Sequence, residues 1–182
     1  ARREAPPAAV DGLHPPAGWG PGPGAVAHHD RVVPAQPGGH VARGIDIAYQ
    51  YKLPKALIGF IPQHHGTALM GYFYAKARQI AAQEAGAPLS SAAGREAADE
   101  VDPRRYRHAG PKPQSREAAI LMLADAVEAA TRSLTKPTPS RIKEMTKQVI
   151  DKRMLSGELD DSGLTLSDIA RIREAFIPLL TG

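Results

Sequence analysis

The placement of proline and glycine constrains this chain more than any other feature. Residues 1–39 hold eight prolines and seven glycines, densest in Pro15-Pro16-Ala17-Gly18-Trp19-Gly20-Pro21-Gly22-Pro23-Gly24. Proline removes a backbone donor and glycine carries the largest backbone entropy, so neither a helix nor a sheet ladder is sustained there. Few large aliphatic side chains are available to bury, so the segment is expected to be disordered or loosely draped, with Trp19 an exposed linker residue. From His40 onward the apolar residues recur at helical spacings, and the body reads as all-α.

The remaining punctuation places the helices. A helix is expected over residues 42–53, with Pro54 opening a second over 55–61. Pro62 interrupts, and a further helix follows over 68–84. Residues 85–104 are small, polar and weakly patterned, and read as an inserted loop with one helical turn. Pro111 and Pro113 require 106–114 to be extended. Ser115 is an N-cap candidate for a helix over 116–134, and Thr138-Pro139 for one ending near Leu155 before Gly157. Thr165 and Asp168 resemble a capping box for a last helix reaching Leu180.

Composition excludes several chemistries. With 182 residues, 42% apolar and 23% charged, the chain fits one domain with a real core. It contains no cysteine, which excludes disulfides, thiolate nucleophiles and iron–sulfur clusters and leaves any metal to His nitrogens and carboxylates. No apolar run approaches the ~18 residues of a membrane span, and no leader is evident, so the chain by itself is expected to be soluble. The net charge of +4 is mild. Basic residues are interleaved with acids (Arg141, Lys143, Glu144, Lys147, Asp151, Lys152), which disfavours a module binding nucleic acid or an anionic membrane.

Two features carry chemistry. Asp125 lies in a window (118–130) apolar nearly all round, as in a buried helix, and residues at i±3 and i±4 offer it no cation. A carboxylate buried without a partner costs several kcal/mol, so it needs an interhelical cation, a solvent-facing rotation, or a metal or catalytic role. The second feature is His64-His65-Gly66-Thr67, between Pro62 and a helix. Adjacent helical side chains diverge by ~100°, so the pair suits two metals, or a metal and a substrate group, unless it is simply a surface turn.

Together these motifs support a resemblance. Phe60-Ile61-Pro62-Gln63-His64-His65-Gly66-Thr67, Tyr72-Phe73-Tyr74-Ala75-Lys76-Ala77, Gly110-Pro111-Lys112-Pro113-Gln114 and Leu123-Ala124-Asp125 occur in the order that resembles the C-terminal part of an HD-superfamily domain. Val127-Glu128-Ala129-Ala130, Gly157-Glu158-Leu159-Asp160 and Leu164-Thr165-Leu166-Ser167-Asp168 extend it. The family is the PgpH-type phosphodiesterases, whose HD domain follows a portion of seven membrane helices. The resemblance covers about residues 40–182.

It implies hydrolysis of cyclic di-AMP to pApA by a hydroxide activated at a site of two divalent transition metals, iron or manganese. Carried over, the metal ligands fall on His64, His65 and Asp125 and, more loosely, on His40. Arg107, Lys112 and Arg132 are cations suited to phosphates, and Tyr106 is suited to stacking on a base. The resemblance also implies the cytosolic domain of an inner-membrane protein. The family's upstream His-Asp doublet has no good counterpart: His29-Asp30 lies too close to His40, across Pro34, Pro37, Gly38 and Gly39. Residues 1–39 are therefore expected not to be native family sequence, and to stand where a wrong start, a frame error or a fusion has replaced the N-terminal helices. Residues 40–182 are expected to form a partial HD domain, with a degenerate module that binds without turnover as the alternative.

Overall fold

A computed structural model describes residues 39–181, so Trp19 and His29-Asp30 lie outside the described residues. These residues form seven α-helices: α1 (Gly39–Gln50), α2 (Lys55–Ile58), α3 (Gly71–Glu84), α4 (Ala92–Asp99), α5 (Arg116–Arg132), α6 (Pro139–Leu155) and α7 (Leu166–Thr181). A 3-10 helix at Pro103–Tyr106 joins α4 to the extended segment before α5. No helix among the described residues is long and apolar enough to cross a membrane.

The expected caps form as read. The Ser115 side chain accepts from Ala118 N, and that of Thr138 from Arg141 N, each satisfying a first-turn donor that has no partner within the helix. Thr165 and Asp168 make both halves of a capping box: Asp168 N donates to Thr165 Oγ1 at 3.1 Å, and Thr165 N to Asp168 Oδ2 at 2.9 Å.

Other boundaries differ. α1 begins three residues earlier than expected, which brings His40 into its first turn. α2 is a single turn, so the helix expected over 55–61 stops at Ile58, and residues 59–67 follow as consecutive turns. α3 starts at Gly71 because residues 68–70 are drawn into pairing with 106–108. Met70 N donates to Tyr106 O at 2.7 Å and His108 N to Ala68 O at 3.0 Å, around a Leu69–Arg107 bridge. The stretch read as a loop contains α4, whose Ser91 cap accepts from Gly94 N. Its buried residues are Gly94 and Ala98, too small to give a hydrophobic period.

Two cores result. The larger joins Ala119, Met122, Leu123 and Val127 of α5 to Ile150 of α6, Leu159, and Ile169 of α7. The smaller gathers Ala77 and Ala81 of α3 with Val101 and Tyr106. α5 is buried on one face only: Ile120, Leu121 and Asp125 are exposed, which corrects the expectation of a helix enclosed all round.

Candidate metal centre

His40, His64 and His65 arrive from two short elements. α1 delivers His40, and the turns after α2 deliver the adjacent pair. Close approach of the two elements uses Gly44, where a Cβ would lie 3.2 Å from Ile61 Cγ2. The three imidazoles each offer a ring nitrogen, all within 4.8 Å of one another, so that they could hold a metal ion. His40 Nε2 and His65 Nε2 are 2.9 Å apart. Two nitrogens each ~2.0–2.1 Å from one ion and at right angles are about 3 Å apart, so this spacing fits a shared cation. Because the pair sits on turns, its rings do not splay as on a helix; their centroids are 3.8 Å apart.

Asp125 approaches the group from α5, with Oδ2 3.7 Å from His65 Nδ1. Its side chain is 46% exposed, so the argument from an unpartnered buried carboxylate does not apply. The rotation that exposes Asp125 also aims it at the histidines. A cavity of about 280 Å³ opens beside His64 and Asp125, walled by Leu57, Phe60, Ile61 and Leu121.

Hydrogen bonds fix the pair. His64 Nδ1 lies 2.6 Å from Ile61 O, so it donates to that carbonyl and leaves Nε2 as the ring nitrogen that can face a ligand. Gln63 Nε2 donates to Gly59 O and Gln63 Oε1 accepts from Gln114 N, each at 2.7 Å. Thr67 N and Thr67 Oγ1 both donate to Glu158, at 2.8 Å. Gly66, at φ +55°, leaves no room for a side chain, because a Cβ there would overlap Glu158 Oε2 and Met122 Cε.

The electrostatics favour neutral imidazole, the form that binds metals. Burial, followed by the fields of His64, His108, His40 and Arg153, pushes His65 down to about 3. Burial, then His40, Arg153 and His64, pushes His108 down to about 4. His40 is lowered chiefly by burial and then by His64, against an opposing pull from Asp125.

The remaining candidates divide. Arg107 Nη1 donates to Thr67 O at 3.0 Å, so it braces the histidine turn while its side chain stays partly exposed. Lys112 Nζ lies 3.8 Å from Asp160 Oδ2, and Arg132 pairs with Glu128 one turn back. Tyr106 is 1% exposed and packs near Tyr74 in the smaller core, which corrects the expectation that it stacks on a base. Three residues at the site were not singled out from sequence. His108 stacks on His65 with centroids 4.3 Å apart, Arg153 is half-buried near Asp125, and Glu158 is fully buried. Only Glu158 carried a signal, as part of the Gly157–Asp160 motif.

No protein-family model matches the chain. It is 34% identical over 143 residues to the cyclic-di-AMP phosphodiesterase PgpH of Bacillus subtilis, covering 79% of this chain and 18% of that protein. It is 35% identical over 158 residues to the protein of the same name from Listeria monocytogenes, covering 85% of this chain and 20% of that protein. The chain thus spans about a fifth of the length of these relatives. Its fold is similar to the crystal structure of the L. monocytogenes PgpH HD domain in complex with cyclic-di-AMP. The TM-score is 0.64 at 34% identity, covering 84% of this chain and 61% of that one. By sequence and by fold together, the chain is homologous to part of the PgpH-type phosphodiesterases and shares the fold of their HD domain.

Proposed function

We propose that this chain is part of a metal-dependent phosphodiesterase acting on a cyclic dinucleotide, with cyclic di-AMP converted to pApA. The observation that carries this reading is the convergence of His40, His64 and His65 with Asp125 beside a partly apolar cavity. His nitrogens with a carboxylate suit iron or manganese, and the intact family site holds two such ions. When bound, a divalent ion of this kind supplies Lewis-acid polarisation of a phosphoryl oxygen.

The chain's own residues hold and orient. His64, with its Nδ1 proton committed to Ile61 O, presents Nε2; His65 faces His40 through Nε2 and Asp125 through Nδ1. The aliphatic and aromatic walls at Leu57, Phe60, Ile61 and Leu121 suit one face of a nucleobase next to the metal ligands. Arg107, Lys112 and Arg132 remain the cations offered to phosphate. In this reading the domain faces the cytosol as part of an inner-membrane protein.

The test is hydrolysis of cyclic di-AMP by the purified chain in added Mn²⁺, followed by separation of pApA, with Asp125→Asn alongside. Formation of pApA that Asp125→Asn abolishes supports the reading. Saturable binding of cyclic di-AMP without product would select a module that binds but does not turn over.

A further inference from the structure

The two adjacent histidines sit on a run of turns with no helical ladder to hold them, yet their donor atoms must keep sub-ångström placement. The structure supplies the hold at Thr67, the residue that ends the turn. All three of its hydrogen-bonding groups are engaged: N and Oγ1 donate to Glu158, and O accepts from Arg107. Glu158 is 0% exposed and lies 91 residues along the chain, on the loop that closes α6. Leu159, the next residue, belongs to the α5–α7 core. The carboxylate also occupies the space a Gly66 side chain would take, so turn and carboxylate are fitted to each other.

We propose that Glu158 is the positioning residue of the metal centre. It bolts the His64-His65 turn to the helical bundle that carries Asp125, and so sets the spacing between ligands from the two regions. Hydrogen bonds to a carboxylate are stronger than those between neutral groups, and a part-buried pair anchored on the fully buried Glu158 holds its geometry where exposed bonds fray. Partners that orient metal ligands without touching the metal typically tune affinity by ~10–100-fold. The inference rests on the reading of His40, His64, His65 and Asp125 as a metal centre.

The experiment compares Glu158→Ala, Glu158→Gln and Thr67→Val in the full chain, by Mn²⁺ titration and by imidazole ¹H–¹⁵N spectra of the metal-free protein. A glutamine can keep both contacts, its oxygen accepting from Thr67 N and its amide donating to Thr67 Oγ1. Glu158→Gln should therefore stay within about 3-fold of the parent's Mn²⁺ affinity. Glu158→Ala should weaken binding by ~10–100-fold and shift the His64 and His65 ring signals, with helical circular dichroism unchanged. Thr67→Val, which removes only the hydroxyl contact, should fall between them, and it keeps the test open if Glu158→Ala does not fold.

Unaltered Mn²⁺ affinity and unmoved ring signals in Glu158→Ala, or in Thr67→Val should the alanine variant not fold, would overturn the proposal. Glu158→Gln as weak as Glu158→Ala would overturn the hydrogen-bonded role. If the parent chain binds no Mn²⁺, the metal-centre reading fails instead, and the metal-free spectra still decide whether Glu158 sets the ring positions.

Discussion

The two regions that meet at the candidate metal centre are held together by different forces. Residues 39–67 supply His40, His64 and His65, yet α1 and α2 each bury one residue, Ala48 and Ile58. Ile47, Tyr49, Tyr51, Leu53 and Leu57 of the same region stay exposed. The α5–α7 bundle supplies Asp125 from the outer face of a helix whose inner face packs Met122, Leu123 and Val127 against Ile150 and Ile169. Packing fixes the aspartate. Hydrogen bonds fix the histidine pair, through Ile61 O, Gln114 N and Glu158. A cation held by His40, His64 and His65 would lie next to Asp125, which faces the other nitrogen of the His65 ring, and so would tie the weakly buried region to the strongly buried one.

That contrast sets out a graded series of tests. Leu123→Ala removes a fully buried side chain at the centre of the bundle and should cost about 2–5 kcal/mol in denaturant unfolding. A loss under ~1 kcal/mol would mean that the bundle is not the rigid half. Saturating Mn²⁺ at one hundred times its dissociation constant should stabilise the chain by about 2.7 kcal/mol. Hydrogen exchange should then slow more in α1 and residues 59–67 than in α6; uniform protection would contradict the division.

Acid should act on the histidine side. His40, His65 and His108 are held below 6.5 when folded, so the unfolded chain takes up protons first as pH falls below that value. Their contribution to stability is complete above pH 6.5 and is lost as pH drops from there towards about 4 and then 3. With metal chelated, the melting temperature should therefore decline between pH 7.5 and 5, and a flat or rising profile would count against the partial burial of these rings. The smallest effects belong to Ile47→Ala and Leu57→Ala, at 43% and 49% exposed. Each should change stability by less than ~0.5 kcal/mol, and a larger loss would reveal packing on the histidine side that the structure does not hold.

How much of this was legible in the sequence follows from how far each determinant reaches. Ser115, Thr138 and the Thr165–Asp168 pair cap helices through partners three residues away, and their spacing announced them. α4 hid because Gly94 and Ala98 bury little surface and leave no period. The start of α3 hid because Ala68 and Met70 hydrogen-bond to a segment distant in sequence. At the site, the His-His pair and Asp125 stood out by residue type. The exposure of Asp125 did not, since apolar neighbours on a helix indicate a buried face only when every face is covered. His108 reaches His65 only through the Leu69–Arg107 bridge, and Glu158 reaches Thr67 across 91 residues. Neither contact leaves a local trace.

The most direct test of the central claim is calorimetric titration of Mn²⁺ into the metal-free chain at pH 7.5, beside the His65→Ala variant. His65 contacts both His40 and Asp125, so its loss removes the ring that links the two regions. Saturable binding by the parent and its loss in His65→Ala is the predicted result. No binding by the parent, or equal binding by the variant, would mean that His40, His64, His65 and Asp125 do not form a metal centre.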